Sequence, residues 1–398
     1  MIEIIRHKLC GLEWPPKKPA VLDASSIAVF SARFLLDLSP SASQARKLDE
    51  DQVRSHLRML YSIQRNRRVA ITGSSPEPLI AEAAAITMYY RIEDGPSYMD
   101  IWTLLIKFID DGLAPQGTIG ELIGRVFSIL AMDRAIQNLP EKELCPLKYQ
   151  TPVTVTAYYE ALLSSDAWEK LRLSVPINRK NLSQDSAFTT FEDAFSKAYL
   201  HFSHYAKAND DTPFKDRYAW ALWLRGTAIL GQLNQHLTDR ALPIHFPGEG
   251  GLSAQSMSVV LDQDKTGQSE NPTIVKAQSA ETLQLFSGCR TSLPYIDAVH
   301  CYALTTDQGI VVTTPSPHGV TFLHENIEAP RYRIDICGLD VYKDIPQGLA
   351  ENIRSMINGT KDTLFKHHPR QNGVPLLRQM QPLLNSQKET TAWFGGFD

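Results

Sequence analysis

Residues 239–265 read DRALPIHFPGEGGLSAQSMSVVLDQDK, and this stretch decides the fold expected for the second half of the chain. Its two apolar runs, at 241–246 and 257–261, are short and rich in branched residues, which favours strands over helices. The glycine-rich segment 248–251 lies between them and is typical of a turn. We therefore predict a β-hairpin, with Asp239 just before its first strand.

The apolar residues that follow the hairpin keep a period close to two. Short apolar blocks separated by turn residues predict further strands, at 296–304, 309–314, 320–323 and 332–337. The last block alternates polar and apolar residues, as a half-exposed strand does. We predict a small mixed sheet between residues 240 and 340 and a helix at 346–357.

Before residue 235 the apolar residues recur at spacings of three and four, which predicts helices. Val53, Leu57 and Leu60 mark one face of the first predicted helix. The same spacing predicts later helices that begin near Ser75, Ser97 and Thr118. It also predicts one helix that carries the aromatic stripe of 188–205 and another that covers 214–234. The predicted fold class is therefore α/β, a helical N-terminal half followed by a mixed sheet with flanking helices.

The predicted domain boundaries follow these changes of pattern. Residues 1–50 are punctuated by proline and serine and are expected to be an irregular lead-in. A helical domain at 51–210 precedes an α/β domain at 211–345. Residues 346–398 are expected to form a C-terminal helix and a loosely packed tail.

Composition limits the function classes. The chain has 398 residues and a formal net charge of −4, so no overall basic field favours nucleic acid, and Arg65, Arg67 and Arg68 are too few to define a patch. Its five cysteines form no CxxC pair, which gives no support to a zinc site. No apolar run approaches the roughly 18 residues of a membrane span. We expect a protein of the cytoplasm or nucleus with reduced thiols and no membrane partner.

Several conspicuous residues have an ordinary structural interpretation. Glu121 follows Thr118 by three residues, as in a capping box, and we prefer this role to that of a catalytic acid. The aromatic stripe of 188–205 is expected to pack in the core, because base-stacking platforms interleave aromatic and basic residues. His201 and His204, like the adjacent pair at 367–368, lack a third ligand nearby in the sequence and are not expected to bind metal.

One constellation, at the predicted hairpin, is suited to chemistry. A PD-(D/E)xK nuclease core has a helix, an acidic residue at one strand, a turn, and a second strand that ends in an acidic or amide residue, any residue and lysine. Asp239, Gln263 and Lys265 match this order, and Lys265 follows Asp239 by 26 residues. Asp239 would be the main ligand of Mg²⁺ or Mn²⁺, which lowers the pKa of an attacking water, and Lys265 would stabilise developing negative charge. We predict that the ends of these three side chains converge.

Two neighbouring aspartates are candidates for the second acidic ligand. Asp262 and Asp264 flank Gln263, so the predicted metal ligands are Asp239 together with one of these two carboxylates. Because side chains alternate along a strand, Asp262 and Asp264 should face the same side of the sheet and Gln263 the other. Either the two aspartates or Gln263 can therefore share a face with the rest of the site, but not both.

Six segments carry a resemblance to a known family, namely SHLRMLYSI (55–63), SSPEPLIAEAAA (74–85), GELIGRVFSILAMDRA (120–135), FEDAFSKAYLHFSHYAKANDD (191–211), YAWALWLRGTAILGQLNQHLTDRALPI (218–244) and SMSVVLDQDK (256–265). They resemble large fungal, mostly mushroom-type, proteins with Crinkler-like architectures, in which a P-loop ATPase precedes a PD-(D/E)xK nuclease-like domain. The resemblance matches Asp239, Gln263 and Lys265 to that domain's motif. It implies a restriction-endonuclease-like mixed sheet with flanking helices and a nuclease-like domain at 211–345. The implied activity is that of a hydrolase that acts on nucleic acid, or of an inactive descendant that still binds nucleic acid.

The chain departs from an active nuclease of this kind in two ways. No glutamate lies on the predicted helix before Asp239, where many such nucleases place a further metal ligand, and the second acidic position is Gln263. No Walker A sequence is present either, so the expected ATPase partner would be a domain of a longer parent protein.

Two other classes of function remain open. The run from Val259 to Thr266 also fits the DxDxT motif of haloacid-dehalogenase-type phosphatases, with Asp262 as nucleophile and Asp264 as general acid and base. That fold needs parallel strands alternating with helices, whereas the strands after Lys265 look antiparallel. The third class is a non-enzymatic interaction scaffold, which bound Mg²⁺ or Mn²⁺ would argue against.

Overall fold

The computed structural model describes most of the chain up to residue 359. The residues described are 1–11, 14–18, 20, 22–38, 43–63, 70–92, 95, 97–115, 118–178, 182–183, 189–208, 216–231, 238–248, 250–266, 293–302, 310–312, 329–343, 345 and 348–359. The strand predicted at 320–323, the histidines at 367–368, the arginines at 65–68 and the tail after residue 359 lie outside them.

The predicted division into a helical first half and a β-rich second half is confirmed. The described helices are α1 (Ile2–Leu9), α2 (Ala24–Phe34), α3 (Ser43–Ser55), α4 (Pro78–Met88), α5 (Ile101–Asp110), α6 (Ile119–Gln137), α7 (Val155–Leu162), α8 (Ser165–Arg172), α9 (Phe191–Phe195), α10 (Asp216–Leu224) and α11 (Leu349–Gly359). One-turn 3-10 helices lie at Glu141–Glu143, Lys148–Gln150 and Ala254–Ser256.

The expectation of an irregular lead-in at 1–50 is wrong, because α1, α2 and most of α3 lie there. Helix α2 begins at a capping box in which the Asp23 carboxylate accepts the N–H of Ser26, at 2.8 Å, and the Ser26 hydroxyl accepts the N–H of Asp23, at 2.9 Å. From Ser26 to Phe34 every residue of this helix is buried. A helix buried on all sides has no polar face, so the periodicity that reveals surface helices is missing.

Two predicted helices are replaced by shorter helices and strands. The helix expected over Val53 to Leu60 ends at Ser55, and strand β1 (Arg58–Ile63) pairs with β2 (Ala70–Ser74) in a separate antiparallel ribbon. The aromatic stripe of 188–205 contributes α9, β4 (Tyr199–Leu200) and part of β5 (His204–Lys207). Phe191, Phe195 and Phe202 of the stripe are buried as expected, and Tyr199 is partly buried. Aromatic residues also suit strands, however, and tertiary packing decides between helix and strand.

The main sheet of the described residues is mixed, curled and nine-stranded. Besides β4 and β5, its strands are β3 (Val153–Thr154), β6 (Thr227–Leu230), β7 (Arg240–His245), β8 (Met257–Lys265), β9 (Tyr295–Cys301), β10 (Ile310–Val312) and β11 (Arg331–Cys337). The principal order of the strands is β10-β11-β9-β8-β7-β4-β3, and β6 pairs with both β5 and β7. Together with the helices before it, this sheet confirms the mixed α/β class.

The predicted hairpin is confirmed as β7 and β8, which pair antiparallel from Arg240 opposite Asp262 to His245 opposite Met257. The helix predicted over 214–234 is corrected, since α10 ends at Leu224 and is followed by β6. Gly226 has a φ of +57°, a left-handed conformation that glycine adopts without strain and that ends a helix. The local order is therefore α10, β6, Asp239, β7 and β8.

Two of the strands that follow the hairpin, β9 and β11, run parallel to β8, contrary to the antiparallel arrangement expected, whereas β10 pairs antiparallel with β11. Lys265 lies opposite Cys301, so β8 pairs parallel with β9, and Cys301 lies opposite Cys337, so β9 pairs parallel with β11. Single-strand periodicity carries no information on strand direction, which depends on how the intervening chain crosses the sheet. The carboxyl ends of β8, β9 and β11 therefore meet at one edge of the sheet.

Strand β11 is buried on both faces, so the prediction of a half-exposed strand is wrong. Its polar residues are neutralised in a buried ion-pair network in which Arg331 and Arg333 both donate to Asp297. Arg333 also donates to Asp335, at 2.8 Å. Paired charges can be buried where single charges cannot, so alternating polarity does not mark a solvent-facing side here.

One hydrophobic core links the two halves of the chain. It runs from Leu9 in α1 to Ile357 in α11 and includes strand residues such as Val260, Ile296 and Ile334. It therefore draws on both sides of the predicted domain boundary at residue 210. None of the described helices combines the length and the apolar character needed to cross a bilayer.

Candidate functional site

Asp239 lies where the start of β7 meets the carboxyl end of β8. Its backbone N–H donates to the Asp262 carbonyl, at 2.9 Å, and its carboxylate accepts the backbone N–H of Asp264, at 2.6 Å. The strand pairing ends at Arg240 opposite Asp262, and these two hydrogen bonds tie Asp239 to the residues on either side of Gln263. Two of the three predicted catalytic residues are thus neighbours across the hairpin.

The carboxyl group of Asp239 is electrostatically unusual. Burial raises its pKa to about 7, and the carboxylates of Asp264 and Glu121 contribute in the same direction, against the opposing effects of the Asp264 N–H and Arg240. A carboxyl group with so high a pKa lacks a cation to balance it. Perturbed pKa values of this kind are common at functional sites, although structural networks also produce them.

Glu121 has a different role from the one predicted. Thr118 makes no side-chain cap, its hydroxyl donating to the Pro115 carbonyl at 3.0 Å, so the capping box is absent. Burial raises the pKa of Glu121, Asp264 raises it further, and Arg125 opposes the shift. The first turns of α6 pack against the end of β8, and this burial outweighs the local preference for a cap.

Asp262 and Asp264 share one face of β8, as alternation predicts, and both bind Arg240. The guanidinium donates from Nε to Asp262 at 2.9 Å and from Nη1 to Asp264, and the side chains of Arg240, Asp262 and Asp264 are 1%, 2% and 1% exposed. Tyr302 donates its hydroxyl to the second oxygen of Asp264, at 2.6 Å. Although burial opposes ionisation, Arg240 and His300 hold the pKa of Asp262 below its ordinary value.

This arrangement bears directly on the predicted metal ligands. Within the described residues, no group of three or more His, Cys, Asp or Glu side chains is arranged to hold a metal ion. Asp262 and Asp264 already have a cationic partner in Arg240, whereas Asp239 has none at close range among the described ion pairs. Of the three predicted ligands, Asp239 is the one whose charge remains unbalanced.

Gln263 and Lys265 occupy the opposite side of β8 from Asp262 and Asp264. Gln263 is buried and lies opposite Val299, and Lys265 is partly exposed and lies opposite Cys301. None of the ion pairs in the described part of the chain joins Lys265 to Asp239. The hydrogen bonds of Asp239 to Asp262 and Asp264 place it beside Gln263, with Lys265 two residues beyond, and the convergence of the three side-chain ends stays a prediction.

Sequence reasoning missed the residues that support this end of the sheet. Besides Arg240 they include His300, which bonds the Tyr342 hydroxyl through Nδ1 at 2.7 Å, and Gly124 of α6. A side chain at Gly124 would collide with Arg240 and Asp264. Gly120 and Gly124, four residues apart on one helix face, were an available signal of close helix-to-sheet approach.

His204 lies in the buried part of the fold and has a hydroxyl partner on each side of its ring. Its ring lies between the hydroxyls of Ser203 and Thr227, each at 3.0 Å. Burial lowers its pKa to about 3, which keeps the imidazole neutral. Two hydroxyl partners satisfy both nitrogens of this neutral ring.

The phosphatase alternative is supported by the direction of the strands but not by the surroundings of Asp262. The parallel strands β8, β9 and β11 suit that fold, and Asp262 and Asp264 lie near the carboxyl end of β8. A nucleophilic aspartate must reach a phosphorus atom, however, and Asp262 is buried in an ion pair with Arg240. The segments between these strands lie outside the described residues. The ion pair therefore argues against Asp262 as the nucleophile of a phosphatase.

The raised pKa of Asp239 leads to an expected pH dependence. Between the ordinary value of 3.8 and about 7, the folded protein retains a proton that the unfolded chain has lost, so this group lowers stability as pH rises through that window. Asp239→Asn stays neutral and can still accept the Asp264 N–H. The variant should therefore gain stability over the native protein at about pH 8, and the gain should be smaller at about pH 5, by urea unfolding.

The exposed Asp340, which pairs with Arg354 at 3.0 Å, provides the matched control. Asp340→Asn should show no gain at either pH. An Asp239→Asn effect that is the same at both pH values would contradict the raised pKa.

Comparisons of this chain with protein families, with curated proteins and with solved structures found no match in any of the three.

Proposed function

We propose that the chain is a metal-dependent, nuclease-like protein that binds and hydrolyses nucleic-acid phosphodiesters at the junction of β7 and β8. The observation that supports this proposal is the pair of hydrogen bonds that ties Asp239 to Asp262 and Asp264, the residues on either side of Gln263, with Lys265 two residues further along β8 than Gln263. The order α10, β6, β7, β8 and the parallel β9 supports it, because a PD-(D/E)xK core requires a helix and an acid-bearing hairpin.

One feature of the residues present, the raised pKa of Asp239, fits the binding of a divalent cation. Asp239 is a buried carboxyl group whose pKa is raised to about 7, and an added positive charge would relieve this penalty. Asp239 and the amide oxygen of Gln263 would hold Mg²⁺ or Mn²⁺, leaving other positions for water and phosphate oxygens. Bound there, the cation supplies Lewis-acid chemistry, which polarises the phosphate and acidifies water.

The chain's own residues would supply orientation and charge. Asp239 is held by the Asp264 N–H at 2.6 Å, which orients its carboxylate at the strand end. Lys265 is partly exposed and lies near the end of β8, where its ammonium would stabilise the negative charge that develops on a phosphate. Glu121 adds a second weakly neutralised acid that influences Asp239. These roles favour a phosphate-directed site.

The test is a cleavage assay with plasmid DNA and structured RNA, with and without Mn²⁺ or Mg²⁺. Asp239→Ala and Lys265→Ala should each lower the rate about 100-fold, the usual cost of removing one charge-stabilising group. Asp340→Ala and Lys343→Ala serve as controls, because each removes a charge of the same sign as the corresponding test variant and both residues lie outside the β7–β8 junction. Melting temperatures of all four variants should show that the loss does not reflect unfolding.

The alternatives give different results. Binding that weakens with salt, without cleavage, would indicate an inactive descendant, since phosphate contacts release counterions. Cleavage that survives Asp239→Ala and Lys265→Ala would contradict the proposed site. If the protein neither cleaves nor binds nucleic acid, that result would contradict the nuclease proposal as a whole.

A specific observation favours the interaction scaffold as the second candidate. The β1–β2 ribbon exposes large apolar side chains to between 45% and 57% of their surface, at Met59, Leu60, Tyr61, Ile63 and Ile71. Two-stranded ribbons are marginal by themselves, and contiguous exposed apolar surface commonly marks an interface. A chain that neither binds nor cuts nucleic acid would leave this function as the better supported one.

A further inference from the structure

Two cysteines at the carboxyl ends of neighbouring strands form an unusual pair. Cys301 is the last residue of β9, Cys337 is the last residue of β11, and the parallel register sets them directly opposite each other. The backbone confirms the pairing, because Gly338 donates its N–H to the Cys301 carbonyl at 2.9 Å. Side chains directly opposite each other in a sheet lie on the same face, so both thiols point to one side.

The surroundings of this pair isolate it from other partners. Cys301 and Cys337 are 5% and 1% exposed and form a small apolar cluster with Val299. Both are free cysteines, and a hydrogen bond joins their side chains. Cross-strand neighbours have Cα atoms separated by about 5 Å, within the range that a disulfide spans. The geometry therefore needs little backbone movement to become a covalent link.

The interaction between the two side chains makes the thiols chemically unequal. It raises the pKa of the Cys301 thiol and lowers the pKa of Cys337. Burial acts against ionisation at both residues. Cys337 is thus the better placed of the two to act as a thiolate nucleophile.

We propose that Cys301 and Cys337 form a peroxide-sensitive thiol pair that is reversibly oxidised to a cross-strand disulfide. The oxidant is a hydroperoxide, and because both thiols are buried it must reach them through a local opening of the fold. The inference rests on the pairing of β9 with β11 and does not depend on the proposed nuclease function. A link between the ends of two parallel strands would fix the same sheet edge at which Lys265 lies opposite Cys301.

The chemistry balances in two steps. The Cys337 thiolate attacks one oxygen of hydrogen peroxide, an S–O bond forms, the O–O bond breaks, and hydroxide leaves with the second oxygen, so sulfur is oxidised and peroxide reduced. The Cys301 sulfur then attacks the sulfenic sulfur, the S–S bond forms and the S–O bond breaks. The departing hydroxide takes the Cys301 proton and leaves as water. Overall, two thiols and one peroxide yield a disulfide and two waters.

The experiment treats the native full-length chain with hydrogen peroxide, blocks the remaining thiols by alkylation, and maps peptides without reduction. We expect one peptide pair linked through Cys301 and Cys337, which disappears on reduction with dithiothreitol. In Cys301→Ser the sulfenic acid at Cys337 should persist and react with dimedone, whereas Cys337→Ser should show no such labelling at Cys301.

Two other cysteines provide matched controls in the same sample. Cys10 is buried without a neighbouring thiol among the described residues, and burial raises its pKa to about 11, so it should stay reduced. Cys145 is exposed and reports general oxidation. If Cys145 is oxidised while Cys301 and Cys337 both remain alkylatable, the proposal is wrong. The native map does not rely on the variants, so a variant that fails to fold leaves the test intact.

Discussion

Arg240→Ala should destabilise the protein by about 3–5 kcal/mol, the usual cost of removing one partner from a buried ion pair. Arg240 lies between Asp262 and Asp264, donates to both, and is buried with them. Its removal would leave two buried carboxylates without a cation. The free energy of unfolding from urea denaturation at neutral pH measures the effect.

A surface ion pair provides the control for this experiment. Arg225 pairs with Glu77 at 2.9 Å, and both side chains are 52% exposed, so Arg225→Ala should cost less than about 1 kcal/mol. A triple variant, Arg240→Met with Asp262→Asn and Asp264→Asn, should recover much of the lost stability because no unpaired charge remains. Equal costs for Arg240→Ala and Arg225→Ala would show that the network does not balance buried charge.

Gly124→Ala should also destabilise the protein, by about 3 kcal/mol, the upper part of the range for overpacking. A Cβ at Gly124 would overlap Arg240 and Asp264 and would lie 2.7 Å from the Tyr302 hydroxyl. Helix propensity alone favours alanine over glycine by about 1 kcal/mol, so it predicts the opposite sign. The direction of the change in thermal or urea unfolding therefore separates the local effect from the tertiary one.

Gly120→Ala is the matched control, one helical turn earlier on the same face of α6. A Cβ there would meet the methyl carbon of the Thr266 side chain at 2.5 Å, and this terminal group can shift. We expect a small change in stability for Gly120→Ala. A stabilising effect of Gly124→Ala would mean that α6 does not press on the Arg240 network.

The same network links stability to the candidate site. Asp264 binds Arg240 and Tyr302 through its side chain, while its backbone N–H holds the carboxylate of Asp239. A change at Gly124 or Arg240 would therefore displace Asp239 as well. For this reason variants of Arg240 and Gly124 are suited to stability measurements and not to the assignment of catalytic roles.

The hairpin at 239–265 could be predicted from the sequence, because its information is local. Two short apolar blocks around a glycine-rich turn specify adjacent antiparallel strands with little freedom in their register. The neighbourhood of Asp239 and Gln263 follows from that register. Alternation along β8 likewise determined that Asp262 and Asp264 share a face.

Only the tertiary structure decided which of these acids carries an unbalanced charge. Asp239, Asp262 and Asp264 are equivalent in the sequence, and the difference lies in Arg240, which is positioned between two of them. Glu121 follows the sequence pattern of a capping residue, yet the approach of α6 to β8 buries it beside Asp264. Charge balance depends on residues far apart in the chain, so local patterns cannot report it.

The same distinction between local sequence and tertiary structure applies to strand direction and burial. The sequence by itself determined the helical first half, the β-rich second half and the order of residues at the hairpin, since each depends on neighbours within a few positions. The parallel course of β9 and β11, the meeting of Cys301 and Cys337, and the burial of the alternating β11 depend on which strands become neighbours. That choice reflects the closing of long loops and the pairing of buried charges across the whole fold.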